Sequence, residues 1–129
     1  MTPTTLFVYG TLKRLSPSRR HRLLRDARFV TGASMSGVLY DLGEYPGVVR
    51  TSRSNRVAGE LYELPAESAP EMLRKLDRYE GREFIRRRVY VRLTNGKRRA
   101  AWAYLLRKGP PKSATRLQSG RYLLRRGVA

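Results

Sequence analysis

The chain contains no cysteine, which excludes a disulfide framework, a thiolate metal site and a thiol nucleophile. Its single histidine, His21, lies in the polar run Ser18-Arg19-Arg20-His21-Arg22, the pattern of a solvated helix face. A serine–histidine triad would have to use that surface residue, whereas functional histidines sit among partners in a cleft. No apolar stretch approaches the roughly 20 residues needed to cross a bilayer. The start, Met1-Thr2-Pro3-Thr4, is not the charged opening of a secretory signal, so the expected setting is cytoplasmic with no membrane partner. Acidic residues are scarce: 10 Asp plus Glu stand against 28 Lys plus Arg, a formal net charge of +18.

That charge has two readings. Lys and Arg that contact phosphates release counterions and add sequence-independent affinity for nucleic acid; alternatively, a basic surface serves solubility alone. The basic residues fall around Lys13 to Arg28, Arg82 to Arg99 and Arg107 to Arg126 rather than in one tract, and no aromatic-interleaved RNA motif accompanies them. Dispersed charge favours the general-surface reading, with non-specific nucleic-acid association as the alternative.

At 129 residues and 40% hydrophobic composition, the expectation is one domain, residues 1–129, with its own core and no linker. Leu6-Phe7-Val8-Tyr9 is a continuous apolar run of strand length, expected to be central and covered on both faces. A weaker helix is expected from Ser16-Pro17-Ser18 through Leu23, Leu24 and Ala27. Phe29 to Leu42 is strand-like with bends or bulges at Gly32 and Gly37. A turn is expected at Tyr45-Pro46-Gly47, and further strands at Val48-Val49 and from Val57 to Leu64. From Gly109-Pro110-Pro111 onward the chain is loop-like, although Leu117-Gln118-Ser119-Gly120 and Tyr122-Leu123-Leu124 could dock one more short element.

Helix signals follow the strand ending at Leu64. Ser68 stands three residues before Glu71, matching a capping box, and Pro70 falls in the first turn. Met72, Leu73, Leu76 and Tyr79 recur at helical spacing until Gly81. Asn95-Gly96 signals a hairpin. A two-residue turn there pairs Thr94 with Lys97 and sets Val89 opposite Trp102, which places Trp102 and Tyr104 on the face of Val89 and Val91 and turns Arg86, Arg88 and Arg92 away. Twisted strands with glycine bends and few crossover helices predict an α+β fold, a small mixed sheet curled toward a barrel.

Two segments carry chemistry. The first strand runs into Gly10-Thr11-Leu12-Lys13, where a residue without a Cβ lets backbone N–H groups approach an anion. Glu80 occupies the last turn of the helix, just before Gly81. The carbonyl end of a helix disfavours negative charge there, so this Glu is expected to hold its proton toward neutral pH.

Val8-Tyr9-Gly10-Thr11-Leu12-Lys13 is similar to the signature that opens the γ-glutamylcyclotransferase-like family, which includes γ-glutamylamine cyclotransferases. Tyr45-Pro46-Gly47, Gly59-Glu60-Leu61-Tyr62-Glu63-Leu64, Leu76-Asp77-Arg78-Tyr79-Glu80-Gly81, the spacing of Phe84, Arg86, Val89 and Val91, Ala103-Tyr104-Leu105 and a late Ser119-Gly120 occur in that family's order. The resemblance implies a six-stranded barrel-like sheet with a few flanking helices and a cavity at its mouth. It further implies cyclisation of a small γ-glutamyl amine or peptide to 5-oxoproline plus free amine, without metal or cofactor. Glu80 maps to the general acid/base, and Tyr9, Gly10, Thr11 and Leu12 to the loop that binds substrate; Phe84 and Tyr104 are expected to line the pocket. Two departures bear on substrate identity. Phe84 stands where many relatives carry a tyrosine, and Arg121 and Tyr122 stand where an acidic residue and tryptophan are usual. An Arg-rich rim favours an anionic substrate.

Each site residue has a plainer reading. Glu80 is otherwise an exposed carboxylate paired with Arg78 or Arg82, with Asp77 and Glu83 as competing carboxylates. Gly10 is otherwise a tight turn, and Tyr9 core packing. The contrasting function is a non-catalytic basic binding module on the same barrel, associated with nucleic acid.

Overall fold

The computed structural model describes residues 3–9, 24–43, 45–51 and 55–121. Five strands close into a barrel in the order β1 (Thr5–Val8), β5 (Arg56–Glu63), β2 (Arg28–Ser36), β6 (Phe84–Leu93) and β7 (Arg98–Leu106). Neighbours are antiparallel except at the closure, where β1 runs parallel to β7 with Leu6 opposite Trp102. A separate three-stranded sheet has the order β4 (Pro46–Val49), β3 (Val38–Asp41), β8 (Thr115–Arg116).

The α+β, barrel-like fold is therefore as expected, but the barrel has five strands rather than six. The stretch from Phe29 to Leu42 divides at Gly37, where the chain changes sheets: Gly37 N–H donates to the Asn55 carbonyl at 3.1 Å, and from Val38 onward the partner is β4 instead of β5. The irregularity expected near Gly32 falls between Phe29 and Thr31, where the β2–β5 register shifts. The turn expected at Tyr45-Pro46-Gly47 sits slightly earlier. Leu42 N–H donates to the Tyr45 carbonyl at 2.9 Å, and Pro46 and Gly47 already pair within β4. A late strand, β8, forms just before the expected Leu117-Gln118-Ser119-Gly120 segment, within which the Gly120 carbonyl accepts the Ala58 N–H at 2.9 Å; Tyr122-Leu123-Leu124 lies outside the described residues.

The described residues bury two apolar clusters. Inside the barrel, Phe7, Met35, Val57, Leu61, Val89, Val91, Ala101 and Ala103 pack together, with Leu39 and Val48 added by β3 and β4. Outside it, Leu6, Val8, Tyr62 and Tyr104 meet Leu73 and Leu76 of α1 (Ala69–Glu80). Strand β1 feeds both clusters and is buried along its whole length, as its unbroken apolar run requires. The weaker helix expected near the start falls mostly outside the described residues; at its end, Leu24 and Ala27 are buried in the outer cluster. Among the described residues α1 is the one α-helix, and no helix is long and apolar enough to cross a membrane.

Helix α1 forms where its periodicity predicts, but its capping box does not. Ser68 makes no side-chain cap; its Oγ lies instead 3.7 Å from Met72 Sδ. At the other end Gly81 takes φ +76° and donates its N–H to the Asp77 carbonyl at 3.1 Å. Positive φ is inexpensive for glycine, so the helix stops there and the chain turns directly into β6.

The hairpin corrects the expected register by one residue. Leu93 N–H donates to the Lys97 carbonyl at 2.8 Å, Gly96 N–H returns to the Leu93 carbonyl at 2.9 Å, and Gly96 has φ +85°. This is a three-residue loop whose last position is left-handed, the alternative to a two-residue turn. Val89 consequently faces Ala101, while Arg88 faces Trp102 and Arg86 faces Tyr104. One step of register exchanges the faces. Trp102 and Tyr104 thus share the outer face with Arg86 and Arg88, not the inner face with Val89 and Val91.

Candidate active site

Tyr9 directly follows β1, and its ring is buried beside Phe7 with centroids 6.4 Å apart. Its hydroxyl donates to the Tyr104 carbonyl at 2.5 Å and accepts the Val48 N–H. Burial drives its pKa well above the ordinary phenol value, and the charge of Glu80 adds to that shift. The last residue of α1 therefore lies close enough to the end of β1 for the two side chains to feel each other across 71 positions of sequence. Tyr104 feels the same charge.

Glu80 is half-buried, and its carboxyl is pushed up to about 7 by desolvation. The elevation expected from the helix end has a different main cause, burial of the carboxyl. Three ion pairs occur among the described residues, Lys75–Glu71, Arg86–Asp77 and Arg99–Glu63, and Glu80 belongs to none. The surface pairing with Arg78 or Arg82 is absent among them.

One helical turn earlier, Asp77 has the opposite environment. Arg86 grips it with both branches, Nε to Oδ1 at 2.9 Å and Nη2 to Oδ2 at 3.2 Å, and Tyr104 Oη donates to Oδ1 at 2.6 Å. Burial alone would raise its pKa, but these two hydrogen bonds and the Arg86 charge outweigh it and hold the carboxyl below the ordinary value. The guanidinium of Arg86 lies 4.4 Å over the Trp102 ring, whose Nε1 donates to the Pro3 carbonyl at 2.9 Å. Tyr104 is the hub: its carbonyl receives Tyr9, and its hydroxyl holds Asp77. Two carboxylates at i and i+3 are thus separated in acidity by surroundings, one ionised and fixed, the other poised near neutrality.

A groove of about 260 Å³ opens beside the helix end, walled by Asp77, Gly81, Phe84, Arg86, Tyr104 and Arg107 among others. Phe84 and Tyr104 line it, and Phe84 also packs on Tyr45 with centroids 5.9 Å apart. Glu80 is not among its walls. Of the residues singled out from sequence, Tyr9, Glu80 and Tyr104 come together and Phe84 is adjacent; Gly10, Thr11 and Leu12 lie outside the described residues, as does His21. The Asp77–Tyr104–Arg86 arrangement was not anticipated, because the two-residue turn placed Tyr104 on the inner face, away from the outward Arg86. The signal that reveals it is Gly96, which permits the longer loop. Among the described residues no cluster of His, Cys, Asp and Glu could hold a metal ion.

A structure from Bacillus subtilis, YkqA, superposes with a TM-score of 0.72 at 26% identity over 94% of this chain. This chain spans 40% of that protein's length. An AIG2-like protein from Mus musculus gives a TM-score of 0.71 at 24% identity, covering 98% of this chain and 99% of its own. A structure described as gamma-glutamyl cyclotransferase gives 0.65 at 18% identity, covering 88% and 70%. No curated protein matches the chain significantly. The family model described as gamma-glutamyl cyclotransferase, AIG2-like matches residues 6–124, from the first core residue of β1 to a point beyond the last strand, and the chain belongs to that family.

Proposed function

We propose that this protein is a cyclotransferase acting on a γ-glutamyl amine or peptide, with Glu80 as the proton shuttle. The observation that carries the reading is a half-buried carboxyl, pushed up to about 7 and free of ion pairs among the described residues, set against the end of β1 where the chain enters Gly10. Ring closure begins with loss of a proton from the substrate α-ammonium, which Glu80 in its ionised form accepts. The freed amine attacks the γ-carbonyl carbon, forming the lactam C–N bond and placing the electron pair on oxygen. Collapse of this tetrahedral centre breaks the original amide bond. Glu80 gives its proton to the departing nitrogen and takes the second proton from the new ring nitrogen; that proton leaves with the amine as its ammonium, so 5-oxoproline and the amine depart and the Glu80 carboxylate is restored.

Backbone amides of the Gly10 to Leu12 loop are the proposed donors for the substrate carboxylate and the developing oxyanion. Tyr9 and Tyr104, whose hydroxyls are committed to Tyr104 O and Asp77, form fixed walls, not acids. The family membership and the cyclotransferase-like fold support this assignment. Because the reaction is an intramolecular amide exchange, holding amine and carbonyl in near-attack geometry supplies much of the acceleration.

Release of 5-oxoproline from a panel of γ-glutamyl amines and dipeptides tests the reading. Turnover is expected to collapse by roughly 100-fold or more in Glu80→Gln, with the fold unchanged by circular dichroism. The acidic limb of kcat/KM is expected near pH 7 and to vanish in the variant. A panel without turnover above background, or a Glu80→Gln variant as active as the wild type, would overturn the assignment.

A further inference from the structure

Alternation along β6 sends Val89 and Val91 into the barrel and turns Arg88, Tyr90 and Arg92 outward, where all three are exposed. The strands on either side continue this face. Arg98 of β7 stands directly opposite Arg92, and Ser34 of β2 faces Arg92 from the other side. From β5, Arg56 reaches across to β2, with Nε 3.2 Å from Ser34 Oγ, Nη1 2.9 Å from Ser36 Oγ and Nη2 2.8 Å from the Ser34 carbonyl. Burial, then repulsion from Arg92 and Arg98, lowers the Arg56 pKa.

Like charges placed directly opposite across two strands weaken a sheet. Neutralisation would relieve the repulsion, yet none of the three ion pairs among the described residues involves Arg56, Arg88, Arg92 or Arg98. Tyr90 stands among them 55% exposed, with the guanidinium carbons of Arg88 and Arg98 each 5.3 Å from its ring centroid. Guanidiniums on both sides of an exposed ring match the alternation of phosphate and base along an unpaired strand, since any base can stack on an aromatic ring or on a guanidinium plane. The other outward neighbours named here are Ser34, Ser36 and Ala100, which offer no apolar wedge to a lipid surface.

We propose that the outer face of β6 and β7, extended by Arg56, binds single-stranded nucleic acid, with Arg56, Arg88, Arg92 and Arg98 on phosphates and Tyr90 stacked on a base. This site shares no residue with the candidate active site and stands whether or not the cyclotransferase reading holds.

Fluorescence anisotropy of a labelled single-stranded oligouridylate against the full chain, across a salt series, tests it. Tyr90→Ala is expected to weaken binding roughly 5- to 150-fold with the salt slope unchanged. Arg92→Gln/Arg98→Gln is expected to flatten the slope by about 1.4, two phosphate contacts at about 0.7 each. Lys108→Gln/Lys112→Gln removes equal charge beyond the far end of β7 and is expected to change the slope little. Because Arg92→Gln/Arg98→Gln relieves a repulsion, its thermal midpoint should not fall, so lost binding cannot be ascribed to unfolding. Equal losses from the two double variants with a neutral Tyr90→Ala would overturn the proposal. So would tighter binding to an RNA duplex of the same length or to phosphatidylserine vesicles.

Discussion

Substituting Glu80 by Gln should remove the proposed proton shuttle and, above neutral pH, make the protein more stable. In the folded chain burial lifts the carboxyl from its ordinary value of 4.5 to about 7. Between those two values the unfolded chain has released a proton that the folded chain retains. The unfolded state then binds fewer protons, so stability falls as pH rises through this window. Below about 4.5 both states are protonated and nothing is lost; above about 7 both are ionised and the loss is complete. The displacement corresponds to about 3 kcal/mol of destabilisation at pH 8. Glutamine does not titrate, so the stability difference between variant and wild type should grow by about that amount from pH 4 to pH 8. Differences in packing between the two side chains do not depend on pH and cancel in this comparison. At roughly 3–5 °C per kcal/mol for a domain of this size, the melting-temperature difference should widen by on the order of 10 °C. Paired thermal melts at several pH values give the measurement. A difference that stays flat with pH, or a variant that loses stability as pH rises, would show that the Glu80 carboxylate is solvated and would remove the basis for its poised acidity.

The other predictions concern what holds that carboxyl in place. Leu76→Ala empties a fully buried position between α1 and the barrel and should cost about 2–5 kcal/mol in urea unfolding. Tyr104→Phe deletes the hydrogen bond donated to Asp77 and should cost about 1.5–3 kcal/mol at neutral pH. Because the folded Asp77 carboxyl lies below its ordinary 3.8, that cost should be full above this value and fade as pH drops through the folded one, which acid-range melts would detect. Gly96→Val forces a β-branched residue to φ +85° and should cost about 1–2 kcal/mol, with amide exchange accelerated at Leu93 and Arg98 if the loop is what fixes the register.

Much of the fold is legible in the residues, because most elements are specified locally. The apolar run at Leu6, the helical recurrence of Leu73 and Leu76 and the stop at Gly81 each follow from a few neighbouring side chains, and each element appears where it is expected. What was not legible depends on choices between nearly equal local solutions. Asn95-Gly96 suits both a two-residue turn and a three-residue loop, and these differ by one residue of register. Ser68 suits a capping box, yet its hydroxyl turns to Met72. The number of barrel strands hangs on Gly37, where a bend could be foreseen but a change of partner from β5 to β4 could not. For the site, the meeting of Tyr9 with Glu80 is a matter of topology: β1 closes the barrel against β7, and α1 covers the outside of that closure.

The register also determines which carboxylate stays available. In the alternative pairing Tyr104 would face the barrel interior while Arg86 stayed outward, leaving Asp77 without the Tyr104 hydrogen bond. Asp77 would then be held by Arg86 alone, and its acidity would differ less from that of Glu80, one turn away at the same helix end. In the observed pairing, the Tyr104 hydroxyl and the Arg86 guanidinium reach the same oxygen of Asp77, at 2.6 and 2.9 Å, and fix its charge. The Tyr104 carbonyl simultaneously occupies the Tyr9 hydroxyl. Tyr9, Tyr104 and Arg86 are thereby committed elsewhere, and desolvation raises the half-buried Glu80 carboxyl. Its poised acidity is therefore a product of satisfied neighbours, which is why restoring a donor to Glu80 by freeing one of them, as Asp77→Asn would free Arg86, should lower the apparent pKa of the acidic limb.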